Sequence, residues 1–269
     1  MSATRAAIPW VVPALLLVAW QAAGDVGTLS ARVLPTPAAV ARAGVRLAES
    51  GELWRHLGAS FGRAAAGFLI GGGLGLVLGV LTGVSRTAEA AIDGTVQMLR
   101  TVPHLALIPL VILWFGVGEA AKVFLVALGV LFPVYLNTHH GVRSVDPGLV
   151  EMGRVYGLDR WGLFRRVLLP GAMPSVLVGV RYALGVMWLT LIVAETIAAT
   201  SGIGYLAMNA REFLRTDVVV LSILLYALLG KAADSAARVL ERWWRPWHPS
   251  FARPPSAAAV PDDPAGGVV

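Results

Sequence analysis

Mostly apolar stretches recur six times along this chain, parted by polar or glycine- and proline-bearing breaks, and they restrict the medium in which it can fold. A helix needs about 20 such residues to cross roughly 30 Å of hydrocarbon at about 1.5 Å per residue. Residues 64–84 and 175–199 meet that length, and 9–23, 102–117, 123–136 and 218–230 are shorter apolar stretches of the same kind. The breaks include Gly116-Val117-Gly118-Glu119, Asp146-Pro147-Gly148 and Ser201-Gly202. Composition agrees: of 269 residues, 57% are hydrophobic and only 14% charged, against about 25% charged in soluble domains. The expected fold class is therefore all-α, a membrane bundle of six transmembrane helices. The first stretch, with Arg5 before it, also fits a cleaved signal peptide, and the other five keep the chain in the membrane either way.

The net charge is +6. On a soluble protein that excess would point to nucleic acid. Here the arginines lie between apolar stretches, where positive charge fixes membrane orientation instead, so a membrane-lipid partner is expected and a nucleic-acid partner is not. There are no cysteines, which removes disulfides, thiol nucleophiles and thiolate metal sites. The loop between the fourth and fifth stretches holds Arg143, Arg154, Arg160, Arg165 and Arg166, and the C-terminal region adds Arg238, Arg242, Arg245 and Arg253. With six crossings, both termini and this loop share one side, which the arginines mark as cytoplasmic. Arg32, Arg42, Arg46, Arg55 and Arg63 oppose the rule, falling on the far side. Leu53, Leu57 and Phe61, at helical spacing, predict a surface helix leading into the second stretch. Trp10, Trp243, Trp244 and Trp247 read as interface anchors. One membrane domain over residues 1–249 is expected, followed by a disordered tail, 250–269, rich in Pro, Ala and Gly.

The second stretch carries Gly67, Gly71, Gly75, Gly79 and Gly83, one glycine every four residues. They share one slowly drifting helix face, which lets another backbone approach closely.

The most informative stretch is the arginine-rich loop. Asp146 before Pro147 is a helix start, a capping carboxylate followed by a residue that needs no N–H partner. Gly157 stands where that short helix should stop. Asp159 can cap a second short helix whose Trp161, Phe164, Val167 and Leu168 form an apolar stripe. Pro170 is expected to end it and Pro174 to open the next span. Such a pair either lies on anionic lipid or docks into a cytoplasmic partner.

This loop resembles the cytoplasmic signature of binding-protein-dependent ABC importer permeases: Glu-Ala-Ala, three residues, Gly, nine residues, Ile-x-Leu-Pro. Here it reads Glu151-Met152-Gly153, then Gly157, then Val167-Leu168-Leu169-Pro170, with every spacing kept. Met152, Gly153 and Val167 depart from the pattern, all by small or apolar replacements. The runs 176–196 and 201–217 are similar to the aliphatic sulfonate branch of that family, which also takes in taurine and nitrate permeases. The resemblance implies a type I importer-like fold with cytoplasmic coupling helices within about residues 137–175. It implies Glu151, Gly153, Gly157, Leu158, Trp161, Leu169 and Pro170 as the coupling contact. It also implies a second copy of the chain, a cytoplasmic ATPase dimer that uses ATP and Mg, and an extracytoplasmic substrate-binding protein. The chain has no Gly-x-x-x-x-Gly-Lys-Ser/Thr phosphate loop, so no cofactor is expected on it and hydrolysis is assigned to the partner.

Charge inside a span is costly and usually faces protein or water. The fifth stretch carries Arg181, Trp188 and Glu195 at seven-residue spacing, near one helix face. Two readings stand: each charge snorkels to its own interface, or the three line the translocation path or a dimer seam. About 21 Å of helix rules out a direct Arg181–Glu195 pair. His104, His139 and His140 lack metal-ligand spacing and read as interfacial. No nucleophile–base set appears, so the chain is read as no enzyme. The expected function is ATP-driven uptake of a small organic anion, an alkanesulfonate first, with taurine, nitrate, bicarbonate or an aromatic sulfonate as alternatives. An ion-coupled secondary transporter is the rival class, opposed by the lack of similar halves and the few carboxylates in the spans.

Overall fold

The computed structural model describes residues 3–30 and 32–244. The side chains of Trp10, Trp243 and Trp244, together with Trp247 and the expected tail 250–269, lie outside the described part. In chain order the helices are α1 (Ala3–Asp25), α2 (Pro37–Glu49), α3 (Glu52–Val84), α4 (Arg86–Arg100), α5 (Ile108–Phe115), α6 (Glu119–Arg143), α7 (Pro147–Val155), α8 (Arg160–Leu163), α9 (Leu169–Ala198), α10 (Ile203–Glu212) and α11 (Thr216–Trp244). The expected surface helix around Leu53, Leu57 and Phe61 is continuous with the second stretch, so that α3 runs for 33 residues.

The direction of each helix follows from what its glycines touch. A methyl group on Gly67 would meet Val126, on Gly71 Ala127, on Gly75 Leu131 and Tyr135, on Gly79 Thr138, and on Gly83 Val142. Partner numbers rise along the series, so α3 and α6 run parallel, backbone close to backbone. On the other side of α6, Gly129 faces Val186 and Thr190 while Gly141 faces Ala172 and Ser175, so α9 runs antiparallel to it. Arg181 pairs with Asp234 and Trp188 stacks edge-on against Tyr226, which sets α11 antiparallel to α9.

Two parallel spans need a return crossing between them. The chain makes it with α4, a 3-10 turn at His104–Leu107 and α5, bent by 79° at the break. Glu89 meets Arg143 and His139, Asp93 accepts from Tyr135, and Val111 packs with Ala121 and Leu125. The sequence places this crossing at 102–117, whereas the structure divides it between polar α4 and apolar α5. Arg86, Glu89, Asp93 and Arg100 hide α4 from a hydropathy reading, yet its two acids find partners on α6.

Among the described residues, four unbroken helices are long and apolar enough to span: Glu52–Val84, Glu119–Arg143, Arg160–Ile197 and Thr216–Glu241. The bent pair adds a fifth when its two halves are taken as one broken span. The first expected stretch falls on α1, a continuous helix of 23 residues whose Val11–Asp25 part is apolar.

A second correction concerns the prolines. Pro170 does not end a helix and Pro174 does not begin one: α8, a π turn at Phe164–Leu168 and α9 form one rod. Pro170 has no N–H for the carbonyl four residues back. The wider π turn just before it, closed by Leu169 N–H on the Phe164 carbonyl, carries the helix through.

The main core lies where α3, α6, α9 and α11 meet, around Val126, Val130, Val134, Met187, Trp188, Leu191 and Tyr226. Large apolar side chains such as Leu69, Leu74, Val77 and Leu81 point outward from α3, as a lipid-facing surface requires.

Candidate functional site

The arginine-rich loop folds as its turn residues dictate. The Asp146 carboxylate accepts from Gly148 N–H at 2.8 Å and caps α7. The helix stops at Gly157, which takes a left-handed φ of 79°. Leu158 N–H then bonds back to the Gly153 carbonyl at 3.0 Å, closing a Schellman-type end. Asp159 accepts from Gly162 N–H at 2.8 Å and caps α8. Gly153 is buried at the crossing of the two short helices, where a methyl group would sit 2.8 Å from Leu163.

The outer side of this element is apolar and uncovered. Val155, Tyr156 and Trp161 are 86%, 81% and 66% exposed, and Met152 and Leu149 about half so. A groove of ≈ 640 Å³ runs between Leu149, Met152, Tyr156, Leu158, Val167 and Pro170. Glu151 is exposed beside it, while Leu169 and Pro170 are half-buried at the root of α9. The chemistry on offer is a firmly capped apolar ledge ringed by arginines, suited to docking.

At the opposite end of α6 lies a buried ionic cluster. The Glu195 side chain is wholly buried. It accepts from Ser60 Oγ at 2.8 Å, Arg63 Nη1 at 2.7 Å, Gly204 N–H at 3.0 Å and Tyr226 OH at 2.9 Å. Arg63 also donates to Glu119 through Nε and Nη2, and to the carbonyl and hydroxyl of Ser201. All five guanidinium protons are thereby used. Lys122 donates to Glu119 at 3.1 Å, Ile203 N–H donates to Ser60, and Gly202 N–H donates to His56 Nδ1. Of the free amides at the start of α10, Gly204 N–H reaches the carboxylate directly and Ile203 N–H reaches it through Ser60, a placement of negative charge that a helix N-terminus favours. Gly202, at φ 113°, has no room for a side chain, because a methyl group there would enter the Glu195 carboxylate. The cluster binds the turn between α9 and α10 to α3, α6 and α11.

Arg181, Trp188 and Glu195 therefore do not form one exposed stripe. Trp188 is buried in the main core, and Glu195 faces inward rather than snorkelling outward. Arg181 alone is open, its Nε donating to Asp234 Oδ1 at 2.8 Å. Two of the expected interfacial histidines also contact side chains of the bundle. His104 Nε2 lies 2.9 Å from Thr190 Oγ1, and His139 Nδ1 lies 2.9 Å from Thr82 Oγ1. No group of metal ligands occurs among the described residues.

Residues 71–246 match the family described as binding-protein-dependent transport system inner membrane component. The chain belongs to that family. The aliphatic sulfonates transport permease SsuC of Escherichia coli is 63% identical over 243 residues, spanning 90% of this chain and 92% of that protein. The protein of the same name in Bacillus subtilis is 47% identical over 241 residues, covering 90% and 87%. The taurine transport system permease TauC of Escherichia coli is 36% identical over 240 residues, covering 87% of each. Among solved structures, a chain of an amino acid ABC transporter superposes with a TM-score of 0.59 at 18% identity, over 70% of this chain and 92% of that one. That likeness is one of fold.

The matched range takes in the whole capped loop of the permease. It starts after His56, Ser60 and Arg63, so the α3 part of the ionic cluster lies ahead of it. Sequence reasoning missed Ser60, Arg63, Glu119 and Tyr226 altogether. Arg63 reads as one more loop arginine opposing the charge rule, although Arg63-Ala64-Ala65-Ala66-Gly67 runs straight into a span. A charge so placed at a span's edge, with Glu119 at another, was the available signal.

Proposed function

We infer that the permease is the membrane-spanning subunit of an ATP-driven importer for small organic anions, with aliphatic sulfonates as its cargo. The observation that carries the cargo is the 63% identity to SsuC along 90% of the chain. The capped loop supports the coupling role. It presents Leu149, Met152, Tyr156 and Trp161 beside a groove, and a separate ATPase dimer that hydrolyses ATP with Mg would dock there.

In this reading residues 1–249 form one domain, the loop and both termini are cytoplasmic, and the ionic cluster sits toward the extracytoplasmic side. Two copies of the chain pair in the lipid, and a binding protein delivers cargo to the outer face. The mechanism follows from the rod Arg160–Ile197. Its 38 residues extend about 57 Å, so a push on Trp161 displaces α9 as a lever, carrying Arg181 with it. At the far end, the saturated Arg63–Glu195 cluster ties that lever to α3, α6 and α11, so the outer turn moves with the rod. The π turn at Phe164–Leu168 joins the docking ledge to the spanning part of the rod without a break.

Complementation tests the reading. A strain lacking its sulfonate permease but retaining the ATPase and binding protein should regain growth on ethanesulfonate as sole sulfur source when this chain is expressed. Growth restored on taurine alone would move the cargo to the taurine side. Loss of growth in both media with the chain in the membrane would refute the function.

A further inference from the structure

A cavity of ≈ 570 Å³ opens on the face of α9 and α11, lined by Val178, Arg181, Tyr182, Gly185, Leu189 and Asp234 among others. Its wall is apolar apart from one ion pair. Arg181 Nε is held by Asp234 at 2.8 Å, which fixes the plane of the guanidinium. The two Nη groups have no hydrogen-bond partner among the described residues. Asp234 is shared, since Arg238 Nη1 lies 2.6 Å from its other oxygen and Lys231 is within electrostatic reach. Asp234 is thus divided between Arg181 and Arg238 and does not fully neutralise Arg181. Arg181 stands about 18 Å of helix beyond Leu169, opposite the charged stretch of α11 that holds Lys231, Asp234 and Arg238. A fork of free N–H groups at the mouth of an apolar cavity matches an oxyanion.

Gly185 lies mid-helix on the cavity wall. Nothing stands within 4 Å of where its methyl group would be, so a side chain at this position would extend into the cavity.

We propose that this cavity is a cargo subsite on the permease itself: the sulfonate head sits on the Arg181 Nη groups and the alkyl tail lies along α9 past Gly185 toward Leu189. The assignment rests on the sulfonate reading above and adds to it where on this chain the anion is held. Asp234 acts as a positioning residue, holding the guanidinium edge-on to the cavity.

The chain has no cysteine, so Gly185→Cys carries its only thiol. The full complex, with ATPase and binding protein, is reconstituted in phosphatidylcholine vesicles and treated with 2-sulfonatoethyl methanethiosulfonate or its trimethylammonium counterpart. The anionic reagent should react at least about tenfold faster than the cationic one. Octanesulfonate should protect the thiol, and Arg181→Gln in the same background should abolish the preference. In a second variant, Gly185→Leu, the ratio of octanesulfonate to ethanesulfonate uptake should fall at least about tenfold, because the filled wall excludes the longer tail. Unreactive thiol, equal rates for the two reagents, or an unchanged chain-length ratio would overturn the subsite. So would protection by added phosphatidylglycerol but not by octanesulfonate, which would make it a lipid headgroup site. If the parent complex takes up no sulfonate, the cargo reading fails on its own, and charge-selective labelling with octanesulfonate protection still decides whether the subsite exists.

Discussion

Replacing Glu195 by glutamine tests how much the buried ionic cluster holds the bundle together. The carboxylate accepts from Ser60, Arg63, Gly204 and Tyr226, all within 3.0 Å. Glutamine keeps one acceptor oxygen and turns an NH2 group toward hydrogen-bond donors. Removing one partner of a buried pair typically costs about 3–5 kcal/mol, because the other charge is left uncompensated. Arg63 keeps Glu119 and the Ser201 carbonyl, which places the loss near the lower end, about 3 kcal/mol. For a chain of this size that corresponds to roughly 6–12 °C in melting temperature. The assay is thermal unfolding of the detergent-solubilised protein. Arg181→Gln is the contrast, since its partly exposed pair with Asp234 should contribute less than about 1 kcal/mol. A Glu195→Gln melting temperature within about 2 °C of the parent would refute the claim that this cluster is a structural tie.

Three further outcomes follow from the geometry. Gly75→Ala should already destabilise the solubilised protein, by about 1–3 kcal/mol, because its methyl group would lie 2.6 Å from the Leu131 carbonyl oxygen; Gly73→Ala, with nothing within 4 Å, should melt at or slightly above the parent. Gly157→Val should leave the permease in the membrane but reduce ATPase co-purification, since φ 79° resists a β-branched residue, while Gly157→Asn should retain most of it. Gly202→Ala should destabilise at least as strongly as Glu195→Gln, read in the same melt, because it collides with that carboxylate in a backbone conformation that alanine resists.

Local chemistry was legible in the sequence and long-range pairing was not. Asp146, Gly157 and Asp159 punctuate the loop as their side chains and backbone freedom require. The glycine repeat of α3 announces a close-packed face, though not that α6 fills it in parallel. Hydropathy placed the third crossing at 102–117 but overlooked α4, since a window average counts Glu89 and Asp93 as exposed charge and sees neither Arg143 nor Tyr135. The same blindness hid the ionic cluster. Arg63 and Glu195 are separated by 132 residues, and seven-residue spacing within one helix drew Glu195 toward Arg181 instead. Helical spacing names a face but does not say what the rest of the bundle puts against it. The prolines at 170 and 174 misled for a different reason: a break rule does not foresee that a π turn can carry a helix past the missing donor.

The most direct test of the account is uptake by proteoliposomes containing the permease, its ATPase and its binding protein, with internal ATP. Labelled ethanesulfonate should accumulate, its addition with the binding protein should stimulate hydrolysis, and the permease alone should move none under any ion gradient. Accumulation driven by a proton or sodium gradient without the ATPase, or hydrolysis indifferent to sulfonate, would contradict it.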